Sequence, residues 1–205
     1  MAEDFVQLPP DSTGKKQRTR SRVIGAHTVH EQGVFSTAMP TYYAVADNVT
    51  FAGNKTHLSI VNETGSGVLV AIRKLYAINL QIAAVTGVAI RMETRRLTAH
   101  SGGTLITPQS CDSNNPALPA QVTVRTNSTP TGTTLLYPFI LTTEEEAATA
   151  ALTKNVYQAM NSLQPGGPDI QDYALREGEG FSVFQVTSST VGSFAWLMVF
   201  TVETL

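Results

Sequence analysis

The chain holds one cysteine, Cys111, among its 205 residues, so it has no intramolecular disulfide and no multi-cysteine metal site. That thiol is expected in a buried or loop position, and a catalytic use would need a histidine brought to it in space. Charge is also scarce: Asp, Glu, Lys and Arg make up 15% of the residues, against about 25% in an average globular protein. Thr, Ser, Gly, Ala and Val fill the difference, which gives a surface suited to being covered by other subunits. The net charge of -2 provides no basic footprint over the whole molecule for nucleic acid. No apolar run reaches the roughly 18 residues that span a bilayer, so no membrane partner is expected. The N-terminus lacks the charged-then-apolar order of a secretory signal. The Asn-x-Thr tripeptides at Asn48, Asn54, Asn62 and Asn127 are therefore read as products of a Thr-rich chain, not as glycosylation sites. No phosphate-binding glycine loop occurs, and Gly65-Ser66-Gly67 lacks the spacing of a nucleophile elbow.

What is present is alternation. The stretch from Gly67 to Leu97 organises the chain and is read as a long hairpin. In its first strand Val68, Val70, Ile72, Tyr76, Ile78 and Leu80 share one side of a period-two pattern, which Lys74 interrupts. A bulge near Arg73 and Lys74 absorbs that interruption. In its second strand Val88, Ile90 and Met92 point one way and Arg91, Glu93 and Arg95 the other. Further strands are expected at Thr41–Val45, His57–Val61, Gln121–Arg125, Leu135–Leu141, Phe181–Thr187 and Phe194–Glu203. Pro138 demotes its strand to an edge or a bulge. The last strand is apolar on both sides: Phe194, Trp196, Met198, Phe200 and Val202 on one, Ala195, Leu197 and Val199 on the other. A sandwich core covers one side only, so the Ala195, Leu197 and Val199 side is expected to meet a helix, a loop or a neighbouring subunit. One short helix is expected from Thr143 to about Thr153, capped by Thr143 and favoured at its start by Glu144, Glu145 and Glu146.

Residues 1–36 differ from the rest. Lys15, Lys16, Arg18, Arg20 and Arg22 fall within eight residues, with no apolar face around them, so the segment is read as an extended basic arm preceding a domain of residues 37–205. Extended, it would reach on the order of 100 Å. Binding nucleic acid through five phosphates would give a log–log salt slope of about -4 to -5, but no aromatic residues interleave the cations for stacking. A contact with a partner subunit is the favoured use of these cations, ahead of the genome.

Candidate chemistry is thin. Three adjacent glutamates on a helix point about 100° apart and cannot converge on one bond. Glu177 and Glu179 form a weak acid/base candidate at a glycine-flanked strand entry. The Asp112-Ser113-Asn114-Asn115 run lacks the closing acid of a calcium loop. His27 and His30 in the arm are too few for a preformed metal site, and His57 and His100 stand alone in sequence. No cofactor and no catalytic residue is expected.

The arm VQLPPDSTGKKQRTR with VHEQ, the central RKLYAINLQIAAVTGVAIRMETRRLTAHSGGT and the closing LREGEGFSVFQVTSSTVGSFAWLMVFTVE together resemble uncharacterised structural proteins of tailed bacteriophages, which are labelled minor structural or decoration proteins. The resemblance covers most of the chain. It implies a virion component, assembled in the host cytoplasm and without enzymatic activity. Joined to the residue reading, the expectation is an antiparallel β-sandwich of jelly-roll type, about eight strands from Thr41 to Leu205. In function this would be a capsid decoration or cement protein. It would associate with itself as a trimer over joints of the major capsid protein, with the arm threading across neighbours. A tail or fibre-base protein binding host glycans through Tyr42, Tyr43, Tyr157 or Tyr173 is the alternative. A polysaccharide hydrolase is a third, needing paired carboxylates about 5 to 10 Å apart.

Overall fold

The computed structural model describes the backbone of residues 3–7, 16–24, 27–32, 39–79, 88–143, 156–158, 173–187 and 192–204, and the side chains of 39–78, 90–141, 173–187 and 192–204. The chain forms two compact units, Met1–Ala38 and Met39–Leu205.

In the first unit, β1 (Glu3–Gln7), β2 (Lys16–Ile24) and β3 (His27–Gln32) pair antiparallel in the order β1-β2-β3. The segment read as an arm without strand-like pattern thus carries a three-stranded sheet. Its periodicity is in charge, not hydrophobicity: Lys16, Arg18, Arg20 and Arg22 occupy alternate positions of the central strand, so these positions share one face. In the register Arg20 stands opposite Glu3 on one side and Glu31 on the other, and Arg18 stands opposite Phe5.

The second unit contains β4 (Thr41–Thr50), β5 (Lys55–Asn62), β6 (Val68–Asn79) and β7 (Val88–Leu97). Five short strands follow: β8 (Ala99–Ser101), β9 (Thr104–Ile106), β10 (Gln109–Ser110), β11 (Val122–Thr126) and β12 (Thr129–Thr131). The chain then forms β13 (Thr134–Thr143), β14 (Val156–Gln158), β15 (Tyr173–Leu175), β16 (Glu179–Gln185) and β17 (Ser193–Thr204). One sheet runs β10-β4-β17-β6, with β14 and β15 both on the far edge of β6. The other runs β13-β7-β16-β5-β11-β9, and β8 and β12 form a small pair of their own. Leaving out the short additions, β4-β17-β6-β15 faces β5-β16-β7-β13. This is an eight-stranded antiparallel jelly roll.

That order corrects the hairpin reading of Gly67 to Leu97. β6 and β7 lie in opposite sheets, as do β16 and β17. Alternation shows which side of a strand is buried but does not name its hydrogen-bonding partner. The connections 80–87 and 186–192 are long enough to cross the roughly 10 Å between packed sheets. The bulge expected at Arg73 is present: Val199 pairs with Lys74 and the next residue, Phe200, with Ile72. Its consequence was not foreseen. One extra residue inverts the phase, so Val68, Val70 and Ile72 face the core and then Leu75 and Ala77 do, while Tyr76 and Ile78 turn outward. Pro138 lies on an edge strand, and that strand carries a bulge at Leu136. The helix expected from Thr143 lies outside the described residues, apart from Thr143, which ends β13.

Both sheets contribute to one core. Phe194, Trp196, Met198, Phe200 and Val202 of β17 line it as their alternation predicts, against Leu58 and Ile60 of β5, Ile90 and Met92 of β7, and Phe181 and Val183 of β16. Phe194 meets Phe51 edge-on at 4.7 Å, and Tyr42 stacks on Phe200 at 5.7 Å. Gly180 is required by packing: a Cβ there would stand 2.7 Å from the Ile60 carbonyl oxygen and 2.9 Å from Leu97 Cδ1.

Candidate interaction surfaces

β17 is the central strand of the first sheet, between β4 and β6, so whatever it points outward lies at the middle of that sheet's outer face. Leu197 pairs with Val45 on β4 and Tyr76 on β6, and Val199 with Tyr43 and Lys74. Around Leu197 the outer face is therefore apolar on three strands, and the exposed Lys74 borders it beside Val199. Ala195 is buried, Leu197 and Val199 are half-buried, and Val45 is 45% exposed. The structure brings these three sequence-predicted residues to one surface with Tyr43, Val45, Tyr76 and Ile78. The last two reach it only through the Arg73 bulge. Of the arm cations, Lys16, Arg18, Arg20 and Arg22 hold alternate positions of β2, and Lys15 lies outside the described residues.

A second exposed apolar surface, unforeseen from sequence, lies on β13. Phe139 and Leu141 pack inward, so Ile140 points outward and is 65% exposed. Leu135 is 50% exposed, and Pro138 between them is exposed. Beside them on β7, Glu93 is held between Arg91 at 3.0 Å and Arg95 at 2.7 Å. Arg95 also covers the Phe184 ring at 3.6 Å.

The candidate chemical groups are each engaged elsewhere. The Glu177 carboxylate accepts the backbone N–H groups of Gly67 at 2.7 Å and Gly65 at 3.1 Å. Those bonds hold it below the usual carboxylate range. Glu179 pairs with Arg96 at 2.7 Å and accepts the Arg176 N–H. The two carboxylates tie down different loops. Cys111 is exposed. Tyr42 is buried in the core, Tyr173 packs near Phe181 and Tyr43 faces outward, so these three do not gather into one platform; the side chain of Tyr157 is outside the described residues. Among the described residues, no group of three His, Cys, Asp or Glu is placed to hold a metal ion. No helix there is long and apolar enough to cross a membrane.

Two histidines turn out to be cross-links. Trp196 Nε1–H donates to His57 Nδ1 at 3.0 Å, so the imidazole proton sits on Nε2 and is donated to Gln185 Oε1 at 2.8 Å. Gln185 Oε1 also accepts the Ala52 N–H, and its amide donates to the Thr187 carbonyl. This fully bonded bridge joins the two sheets through the core. Burial lowers the His57 pKa to about 4, with Lys55 adding to the effect and the Gln185 bond opposing it.

His100 lies on the outer face of the second sheet and links Ser59 Oγ at 2.7 Å to Thr123 Oγ1 at 2.8 Å. Thr123 donates on to Glu63 at 3.2 Å, and Ser128 Oγ is 2.7 Å from Ser59 Oγ. A serine, a histidine and an acid in series resemble a nucleophile relay. Here a threonine separates imidazole from carboxylate, and Ser59 is fully buried under β8 and β12. Desolvation, and then Arg125, lower the His100 pKa to about 4, which keeps the ring neutral. The arrangement fastens the 98–133 segment to the sheet. Sequence offered no signal for it, because its members lie up to 69 positions apart.

No protein-family model, no curated protein and no solved structure matches the chain.

Proposed function

We propose that the chain is a structural, non-enzymatic component of a tailed-bacteriophage virion: a capsid decoration or cement protein that associates with itself and with the major capsid protein. The observation that carries this reading is the outer face of the first sheet, where the central strand presents Leu197 and Val199 among Tyr43, Val45, Tyr76 and Ile78. A sheet face of this composition is ordinarily covered by a partner. Jelly-roll domains recur in viral shells, and also in lectins and cupins, so the fold is compatible with the role without fixing it. The engaged state of Glu177 and Glu179 and the burial of Ser59 support a non-catalytic role, and the separated tyrosines weigh against the glycan alternative.

In this reading residues 1–36 anchor the body to neighbouring shell subunits through Lys15, Lys16, Arg18, Arg20 and Arg22, and copies gather as a trimer over capsid joints. Shells stripped of the protein are incubated with the full chain or with a chain lacking residues 1–36. The proposal expects the full chain to rebind and the truncated one to stay in solution with an unchanged melting profile. Equal occupancy by both would remove the anchoring role, and failure of the full chain to bind shells would remove the decoration role.

A further inference from the structure

Two exposed apolar patches of the second unit carry charges of opposite sign and lie on opposite outer faces of the sandwich. The first is on β4, where the 45%-exposed Val45 adjoins Leu197 and the strand continues to the exposed Asp47. Lys74 stands two strands away on β6. The second is on β13, where the 65%-exposed Ile140 pairs across to Arg91 of β7, whose side chain is 52% exposed. Glu93 does not cancel the positive sign at this surface, because its side chain is 8% exposed and shared by Arg91 and Arg95. The edge of β13 is a poor template for another strand at its middle, since Pro138 has no N–H to give. The contact this surface offers is therefore made by side chains.

We infer that copies of this chain associate head to tail, the Val45–Asp47 patch of one copy seated on the Ile140–Arg91 patch of the next. Apolar meets apolar and carboxylate meets guanidinium. The patches lie on opposite faces, so no copy satisfies one with the other. A two-fold dimer would set each patch against itself, like charge against like. The contact is heterologous, and its repetition closes a ring or runs on as a filament. This rests on the self-association proposed above and adds the two surfaces and their polarity.

Sedimentation velocity of the full chain over a concentration series provides the test. Asp47→Arg and Arg91→Glu each oppose like charges across the contact and raise the apparent Kd about tenfold or more. Mixing these two variants restores association to within about threefold of the parent, because Arg meets Glu at one contact and Asp meets Arg at the next. Arg91→Glu leaves Glu93 its two bonds from Arg95, and a thermal melt reports whether the fold is kept. Should that variant fail to fold, Val45→Ser and Ile140→Ser each serve in its place, weakening association by about tenfold. Variants that associate like the parent, or a mixture that stays apart, would overturn the head-to-tail contact and leave self-association standing. A parent that is monomeric throughout the series would overturn both.

Discussion

The two flanks of the jelly roll are finished in different ways. On the β4/β5 flank the 98–133 segment extends the second sheet with β11 and β9, then crosses to pair β10 with the edge of the first sheet. The crossing is fixed by the Cys111 N–H to the Thr41 carbonyl at 2.9 Å and by the Tyr42 hydroxyl donating to the Pro116 carbonyl. The Ser59–His100–Thr123 chain fastens the same segment over the outer face. On the other flank β13 is an edge strand with no further partner strand among the described residues, interrupted by Pro138 and a bulge, and it leaves Leu135 and Ile140 in solvent. One flank spends polar bonds on closing itself. The other keeps apolar side chains outside, which favours a partner over a finished surface.

If that contrast is correct, substitutions on the covered flank and in the core should change stability, and those on the bare flank should change association instead. The largest loss is expected in the core common to both flanks: Trp196→Ala should cost about 3–5 kcal/mol in urea unfolding, from the lost ring and the orphaned His57 nitrogen. Acid comes next. The folded His57 pKa of about 4 lies below the unfolded value near 6.5, so the unfolded chain binds the extra proton between those pH values. Stability should therefore fall as pH drops from about 6.5 to 4, by about 3 kcal/mol from His57. His100 acts in the same direction. A variant with both histidines changed to Gln should show a flattened stability–pH curve. His100→Ala on the covered flank should cost about 1–3 kcal/mol, by removing the bonds to Ser59 and Thr123 that fasten the segment, and should raise hydrogen exchange in 98–133. Ile140→Ser on the bare flank should stay within about 0.5 kcal/mol of the parent in stability. A large loss there would mean that β13 is a covered strand after all.

Much of this contrast could not be read from the residues. Alternation identified the long strands and the inward side of β17, because Phe194 through Val202 repeat at period two with bulky side chains. It also located the Arg73 bulge and the edge position of Pro138. It missed which way Tyr76 and Ile78 face, since a bulge resets the phase of every residue after it. Adjacency in sequence was mistaken for pairing: β6 with β7, and β16 with β17, look like hairpins in sequence and lie in opposite sheets. The β2 strand was missed because its period-two signal is carried by Lys16, Arg18, Arg20 and Arg22, not by apolar residues. Of the candidate surfaces, the outward position of Leu197 and Val199 on β17 was legible because one strand was apolar on both sides. The β13 patch was hidden, as LLYPFIL reads the same whether one side or both is covered. The His57 and His100 bridges are long-range and left no local trace.

Imaging the purified particle at a resolution that resolves strands tests the central claim most directly. Many copies of this jelly roll are expected on the shell, arranged with its lattice, with Leu197 and Val199 of the first sheet covered by a neighbouring chain. A particle that lacks the protein, or one that carries only a few copies at the tail with that face open to solvent, would contradict it.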